Sequence, residues 1–273
     1  MTKPKLFKVL FIGDIIGQLG RHVCQLALAE LRQELKLDLI IANGENSAHG
    51  YGITEKVYKE LMNMGIEAVT MGNHIWDKRE IIKEIDKLPF LVRPANYPPG
   101  SPGNGQLIID KNGVKAAIVN LSGRTFMQSL DCPFRKIDEV LPKLTTNVVI
   151  IDMHAEATSE KCAMGWHVDG RASAVLGTHT HVMTADERLL PKGTALISDV
   201  GMVGAYDSII GMNKEQILKR FVTQLPERFE PTDTGVGLFN AVVLKIDPVS
   251  GQTKEIQRIK KIIEPPTESK NRT

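Results

Sequence analysis

The sequence predicts an α/β fold, a mostly parallel sheet covered by helices with further strands of mixed direction added to it. Two observations predict it. From Val9 to Lys87, short apolar runs alternate with segments of helical period, the β-α-β-α-β rhythm of a parallel sheet. Further on, the apolar runs 107–109 and 116–119 flank Asp110-Lys-Asn-Gly113, and Asn-Gly between such runs is a strong hairpin signal.

Each element follows in order. Val9 to Ile12 reads as a buried strand. Gln18 to Lys36 carries Leu19, Val23, Leu26, Ala27, Leu31 and Leu35 at helical spacing. Leu39 to Ala42 is a second strand. Thr54 caps a helix that runs to Met64 and is closed by Gly65. Ala68 to Met71 is a third strand, and Lys78 to Lys87 a third helix. The Pro- and Gly-rich stretch Arg93 to Gly105 is a surface loop, because strand signals resume on both sides of it. Helices are expected at Pro133 to Leu144, Ser159 to Gly165 and Asn213 to Thr223. Strands are expected at Val148 to Ile151, Ala174 to Leu176, Ala195 to Ile197 and Leu238 to Lys245, the last paired near Glu255 to Ile263. One domain over 1–263 and a disordered polar tail over 264–273 complete the expectation.

Composition narrows the function classes. The chain has 273 residues and 34 basic against 32 acidic side chains, without the basic excess that points to duplex DNA. Cys24, Cys132 and Cys162 make an odd count with no C-x-x-C, which suggests reduced thiols in the cytoplasm and no thiolate zinc site. No apolar stretch is long enough to span a membrane. Assembly as a homo-oligomer is left open.

The polar residues that follow the strands carry the chemistry. The strands run into Gly13-Asp14, Asn43-Gly44-Glu45-Asn46, Gly72-Asn73-His74, Asp152-Met-His154 and Gly177-Thr-His179-Thr-His181. In open α/β sheets ligands bind at that carboxyl edge. The candidate set is Asp14, Glu45, Asn46, Asn73, His74, His154, His179 and His181. Carboxylate, amide and imidazole without thiolate suit Mn, Fe or Zn. The ligands are too numerous for one tetrahedral ion and suit two ions sharing a bridge. His179 and His181 point to opposite faces if extended, and can both approach one metal pair if they lie in a loop.

These blocks resemble the G-D, G-N-H and G-x-H-x-H blocks of the calcineurin-like metallophosphoesterases. With Asn43-Gly44-Glu45-Asn46, Met153-His154-Ala-Glu156 and Thr184-Ala-Asp-Glu-Arg188, they are similar to the bacterial YmdB-like branch, described as 2′,3′-cyclic-nucleotide 2′-phosphodiesterases. The likeness runs from about residue 8 to about residue 262. Two departures from the general pattern fit that branch: Ile16 stands where the usual G-D-x-H has histidine, and Asn43 to Asn46 replace the G-D-x-x-D block. The resemblance implies a four-layer α/β/β/α sandwich of two mixed sheets flanked by helices. It implies that Glu45 bridges two metal ions, that Asp14 and His181 with Asn46 hold the first, and that Asn73, His154 and His179 hold the second. The ions would be divalent or trivalent, Fe or Mn first, with Zn or Mg as alternatives. His74 would face the phosphoryl group as general acid or oxyanion stabiliser.

The reaction so implied is hydrolysis of a 2′,3′-cyclic nucleotide, or an RNA-derived phosphodiester, to a 3′-phosphate by a bridging hydroxide. Arg124 is a candidate phosphate contact, set against an ordinary surface arginine. Two other readings stand beside it. One is a broader phosphatase or phosphodiesterase acting on nucleotides, RNA ends or phosphoproteins. The other is a metal-stabilised regulatory or RNA-binding module without turnover.

Overall fold

A computed structural model describes residues 5–264. The tail expected from 264 onward lies outside the described residues except for Glu264. In chain order the first elements are β1 (Phe7–Ile12), β2 (Asp14–Ile15), α1 (Gly17–Leu35), β3 (Leu39–Asn43), α2 (Glu55–Asn63), β4 (Ala68–Thr70) and α3 (Ile81–Glu84). Then come β5 (Leu91–Val92), β6 (Gln106–Lys111), β7 (Val114–Ser122), α4 (Pro133–Val140), β8 (Val148–His154), α5 (Thr158–His167) and β9 (Ala174–Thr178). The last are β10 (Arg188–Leu189), β11 (Ala195–Ile197), β12 (Met202–Ala205), α6 (Lys214–Thr223), β13 (Gly237–Ile246) and β14 (Thr253–Ile263).

The strands form two mixed sheets. The first has eight strands in the order β2-β12-β13-β1-β3-β4-β5, with β14 on β13, and the second six in the order β10-β11-β9-β8-β7-β6. In the first, β1, β3, β4 and β5 run parallel while β13 joins β1 antiparallel. In the second, β7, β8, β9 and β11 run parallel, and β6 closes on β7 as the expected hairpin.

Period-two alternation along the strands divides the apolar side chains among three cores. Val9 and Phe11 of β1 join Ile118, Ile150 and Leu176 of the second sheet in the central core. Leu10 and Ile12 point the other way, to Val23, Leu28 and Leu31 of α1. On the far face of the second sheet, Val119, Ile151 and Val175 meet Ile137 of α4 and Met164 of α5. Three cores between successive layers make the chain a four-layer α/β/β/α sandwich.

The helix ends follow from local chemistry. Thr54 Oγ1 accepts the Val57 N–H at 3.2 Å, the side-chain cap expected for α2. α1 begins at Gly17 without a cap of its own, and Asp233 Oδ1 accepts the Gln18 N–H at 2.8 Å from far along the chain.

The third helix is shorter than Lys78 to Lys87. Only Ile81–Glu84 is α-helical, followed by a 3-10 turn at Ile85–Lys87. The preceding chain is spent on a tight turn: the Asp77 N–H donates to His74 O at 3.1 Å and the Asp77 carboxylate returns to the His74 ring. Strands β2, β5 and β10, of two residues each, and β12 were not expected from the sequence. No helix among the described residues is long and apolar enough to cross a membrane.

Candidate functional site

Both sheets deliver their polar residues to one edge. Asn43 at the end of β3 donates through Nδ2 to Asp152 Oδ2 of β8 at 3.0 Å, tying the two carboxyl edges together. Asp14, Glu45, Asn46, Asn73 and His74 follow strands of the first sheet. His154 ends β8, and His179 and His181 follow β9 of the second.

His154 is fully buried at the centre. Its Nε2 lies 3.0 Å from Glu45 Oε1, 3.0 Å from Asn73 Oδ1 and 3.0 Å from His179 Nδ1. One proton on Nε2 cannot serve three such neighbours. The other ring nitrogen lies 2.8 Å from Thr178 Oγ1, whose hydroxyl donates to Asp152 Oδ1 at 2.7 Å. Thr178 can then only accept from Nδ1–H, which directs the Nε2 lone pair into the cluster.

A second group meets the same Glu45 oxygen. Asn46 Nδ2 is 3.3 Å from Glu45 Oε1 and 3.1 Å from His181 Nε2. His181 Nε2 is in turn 4.0 Å from Asp14 Oδ1. That buried oxygen has no hydrogen-bond partner among the described residues, an orphan of the kind a cation would satisfy.

The electrostatics fit a cation site. Burial pushes Asp14 well above the ordinary carboxylate range, with Glu45, Asp199 and Asp152 adding to it against the pull of His154. Burial would also raise Glu45, but His154, by charge and hydrogen bond, holds it at about 2. His179 is lowered to about 3, by burial first and then by the charge of His154. Burial lowers His181 as well. Neutral imidazoles and an ionised glutamate are the forms that bind metal. Burial alone would lower His154, yet Glu45 and Asp14 raise it to about 9. The carboxylates thus demand positive charge, which a bound cation would supply in place of that proton. Glu45, His154 and His179 each offer one ligand atom within 4.8 Å of the others. With no thiolate in the set, these residues fit a hard or borderline transition metal.

The loop that carries His179 and His181 is not extended: both residues have positive φ, 102° and 67°. Asp199 holds it in that shape. Its Oδ2 accepts from the Thr180 N–H at 3.0 Å and the Thr180 hydroxyl at 2.7 Å, and pairs with buried Lys161 Nζ at 2.8 Å.

His74 lies beside the cluster. Its N–H donates to Glu45 Oε2 at 3.2 Å, its Nδ1 is 2.7 Å from Asp77 Oδ2, and Tyr51 packs edge-on at 5.1 Å between ring centroids. With Nδ1 engaged, Nε2 is the atom left for a substrate. His74 lines a cavity of about 420 Å³ together with Glu45, His179 and His181. The opposite wall is apolar, with Ile209, Met212, Ile217, Phe221 and Phe229.

The eight residues picked out as Asp14, Glu45, Asn46, Asn73, His74, His154, His179 and His181 therefore converge. Arg124 does not join them: it is exposed, and its Nη2 donates to Cys132 Sγ at 3.3 Å. His167 pairs with Asp138 at 3.0 Å. The sequence reading missed Asp77, Tyr51, Thr178, the Lys161–Asp199 pair and the apolar wall. For Asp77 a signal existed, a carboxylate three residues after His74 in a turn.

The YmdB-like protein family model matches residues 10–259. A 2′,3′-cyclic-nucleotide 2′-phosphodiesterase of Bacillus subtilis (strain 168) is 52% identical over 254 residues, 92% of this chain and 96% of the relative. A crystal structure of a hypothetical protein from Thermus thermophilus superposes with a TM-score of 0.89 at 43% identity, covering 95% of this chain and all of that one. A Mycoplasma pneumoniae protein described as a novel phosphatase superposes with a TM-score of 0.91 at 34% identity, covering 96% of each chain. By sequence, fold and the convergent carboxyl-edge residues, the chain belongs to the YmdB-like family.

Proposed function

We propose that the chain is a metal-dependent phosphodiesterase that opens 2′,3′-cyclic nucleotides to 3′-phosphates at a two-metal centre. The observation that carries this reading is the pair of ligand groups that meet at Glu45 Oε1, beside a cavity with one apolar wall. Asp14, Asn46 and His181 would hold one ion, and Asn73, His154 and His179 the other, with Glu45 between. A half-turn of the Asn46 amide presents its oxygen to the first group. Two ions bound there supply charge against the phosphoryl oxygens and a water of lowered pKa.

The remaining roles belong to the protein. Thr178 keeps the His154 proton on Nδ1, so that Nε2 stays available. Asp77 fixes the His74 ring, whose Nε2 donates to the leaving 2′ oxygen or stabilises its charge. The apolar wall receives the base. Arg124 stays a proposal as a phosphate contact, and its guanidinium would first have to leave Cys132 Sγ. We also place the chain in the cytoplasm, where its three free cysteines would persist as thiols.

The Bacillus subtilis relative supports the cyclic substrate and the Mycoplasma pneumoniae one a broader phosphatase. A panel of 2′,3′-cyclic AMP, 3′,5′-cyclic AMP, AMP and bis-p-nitrophenyl phosphate with Mn²⁺ separates them. The proposal expects the highest kcat/KM on the 2′,3′-cyclic compound. A higher value on AMP would favour the broader phosphatase, and no turnover of any compound would favour a binding module.

A further inference from the structure

A second cavity, of about 540 Å³, opens beside the first and shares Tyr51 and Phe229 with it. Lys78 and Arg228 place two cations on its wall, and the exposed ring of His49 stands at its rim. Neither Lys78 nor Arg228 has a side-chain hydrogen bond or ion pair among the described residues. The two acids of that wall, Asp233 and Glu230, keep their charge but are held by neutral N–H donors and not by Lys78 or Arg228. Asp233 Oδ1 accepts the N–H groups of Gln18 and Leu19 at the start of α1, at 2.8 and 3.4 Å. Glu230 is held to α6 through Gln216, whose Oε1 accepts the Glu230 N–H at 2.9 Å and whose Nε2 lies 3.5 Å from Glu230 Oε2. Asp77, the nearby acid on the His74 turn, pairs with His74.

The local backbone leaves room beside Lys78. Gly52 has φ +71°, and a Cβ there would fall 3.0 Å from Lys78 Cγ. Tyr51, between Gly50 and Gly52, packs against His74 and forms part of both cavities. An anion in the second cavity is therefore one aromatic ring away from the reacting phosphate at His74.

A 2′,3′-cyclic mononucleotide carries one phosphate and a 5′ hydroxyl, so it offers nothing anionic to Lys78 and Arg228. An RNA chain ending in a cyclic phosphate carries its next phosphate on the 5′ side of the terminal ribose. We infer that the second cavity is a subsite for that internucleotide phosphate, so that the preferred substrate is an RNA oligonucleotide with a 2′,3′-cyclic end. The inference rests on the cyclic-nucleotide reading above. Tyr51 and Phe229 add aromatic faces on which a base can stack whatever its identity.

The test compares 2′,3′-cyclic AMP with the dinucleotide ApA ending in a 2′,3′-cyclic phosphate, on the Mn²⁺-loaded wild type and the Lys78→Ala/Arg228→Ala double variant. The readout is the ratio of kcat/KM between the two substrates, which a loss of folded enzyme cannot mimic. The wild type should favour the dinucleotide by about tenfold or more, and the double variant by about twofold or less, as expected from loss of a charged phosphate contact. The wild-type preference should weaken with added salt with a log–log slope of about −0.7, that of one phosphate contact on a single strand. A wild-type ratio near one, or a ratio unchanged in the double variant, would overturn the subsite alone. Turnover of bis-p-nitrophenyl phosphate with neither cyclic compound cleaved would overturn the cyclic-nucleotide reading and the subsite with it.

Discussion

His154 engages its neighbours through two distinct ring nitrogens: Thr178 claims one, and Glu45, Asn73 and His179 converge on the other. Glu45 Oε1 lies 3.0 Å from His154 Nε2 of one ligand group and 3.3 Å from Asn46 Nδ2 of the other, so a neutral amide in its place would remove charge from both. Glu45→Gln should therefore weaken both ions, read as metal stoichiometry by native mass spectrometry. Two tightly held ions per chain in that variant would remove the bridging role. His74 touches the site through its N–H while its ring is turned to Asp77, which separates holding the site from acting on the substrate. His74→Ala should keep both ions yet lose about 10²–10⁴-fold in kcat on a 2′,3′-cyclic nucleotide. The loss should be smaller on bis-p-nitrophenyl phosphate, whose leaving group needs less protonation. Equal losses would point to electrostatic clamping of the phosphoryl oxygens instead. Their positions were legible in the sequence because each follows an apolar run best read as a strand, while their roles came from the family likeness. Tyr51 was not, because it sits in a turn where spacing fixes no direction, and Asp77 left only the faint signal of a carboxylate three residues after His74.

The loops after the strands, more than the strands, set the geometry. Two histidines at positive φ cost about 1–3 kcal/mol each, and the 177–181 loop is kept there by Asp199 and its buried partner Lys161. Removing one member of a buried pair leaves an uncompensated charge. Lys161→Met should destabilise the protein by about 3–5 kcal/mol in urea unfolding, and a loss below about 1 kcal/mol would show that the pair holds nothing. Gly72 makes the opposite contribution, by absence: a Cβ there would lie 2.2 Å from Glu45 Oε2 and 2.3 Å from His154 Nε2. Gly72→Ala should fold, with unchanged far-UV circular dichroism, and lose metal; two ions retained would contradict the packing. At this scale legibility was uneven. The long strands announced themselves, while β12 was hidden by the glycines of Gly201-Met-Val-Gly204. It pairs with β2 and β13, and the segment beyond it supplies Ile210 O, 2.9 Å from His181 Nδ1. The sequence shows neither contact, because short strands near a sheet edge are fixed by tertiary pairing and not by local pattern.

Two sheets face one another across the Val9–Ile118–Leu176 core, so the carboxyl edges of both open on the same side. Periodicity alone predicted one extended sheet; the second face-to-face sheet came only through the family likeness, since a run of apolar residues does not say which sheet it joins. The apolar wall of the site is likewise a whole-molecule product. It brings Met212 and Phe229 together with Ile217 and Phe221 of α6, opposite histidines from both sheets. On the proposed function, this shared edge is a metal-dependent phosphodiester-cleaving centre. The most direct measurement titrates metal-stripped protein with Mn²⁺ while following 2′,3′-cyclic AMP by phosphorus NMR. We expect no turnover in the stripped protein, activity that saturates at two ions per chain, and 3′-AMP as product. Turnover without metal, or full activity at one ion, would contradict it.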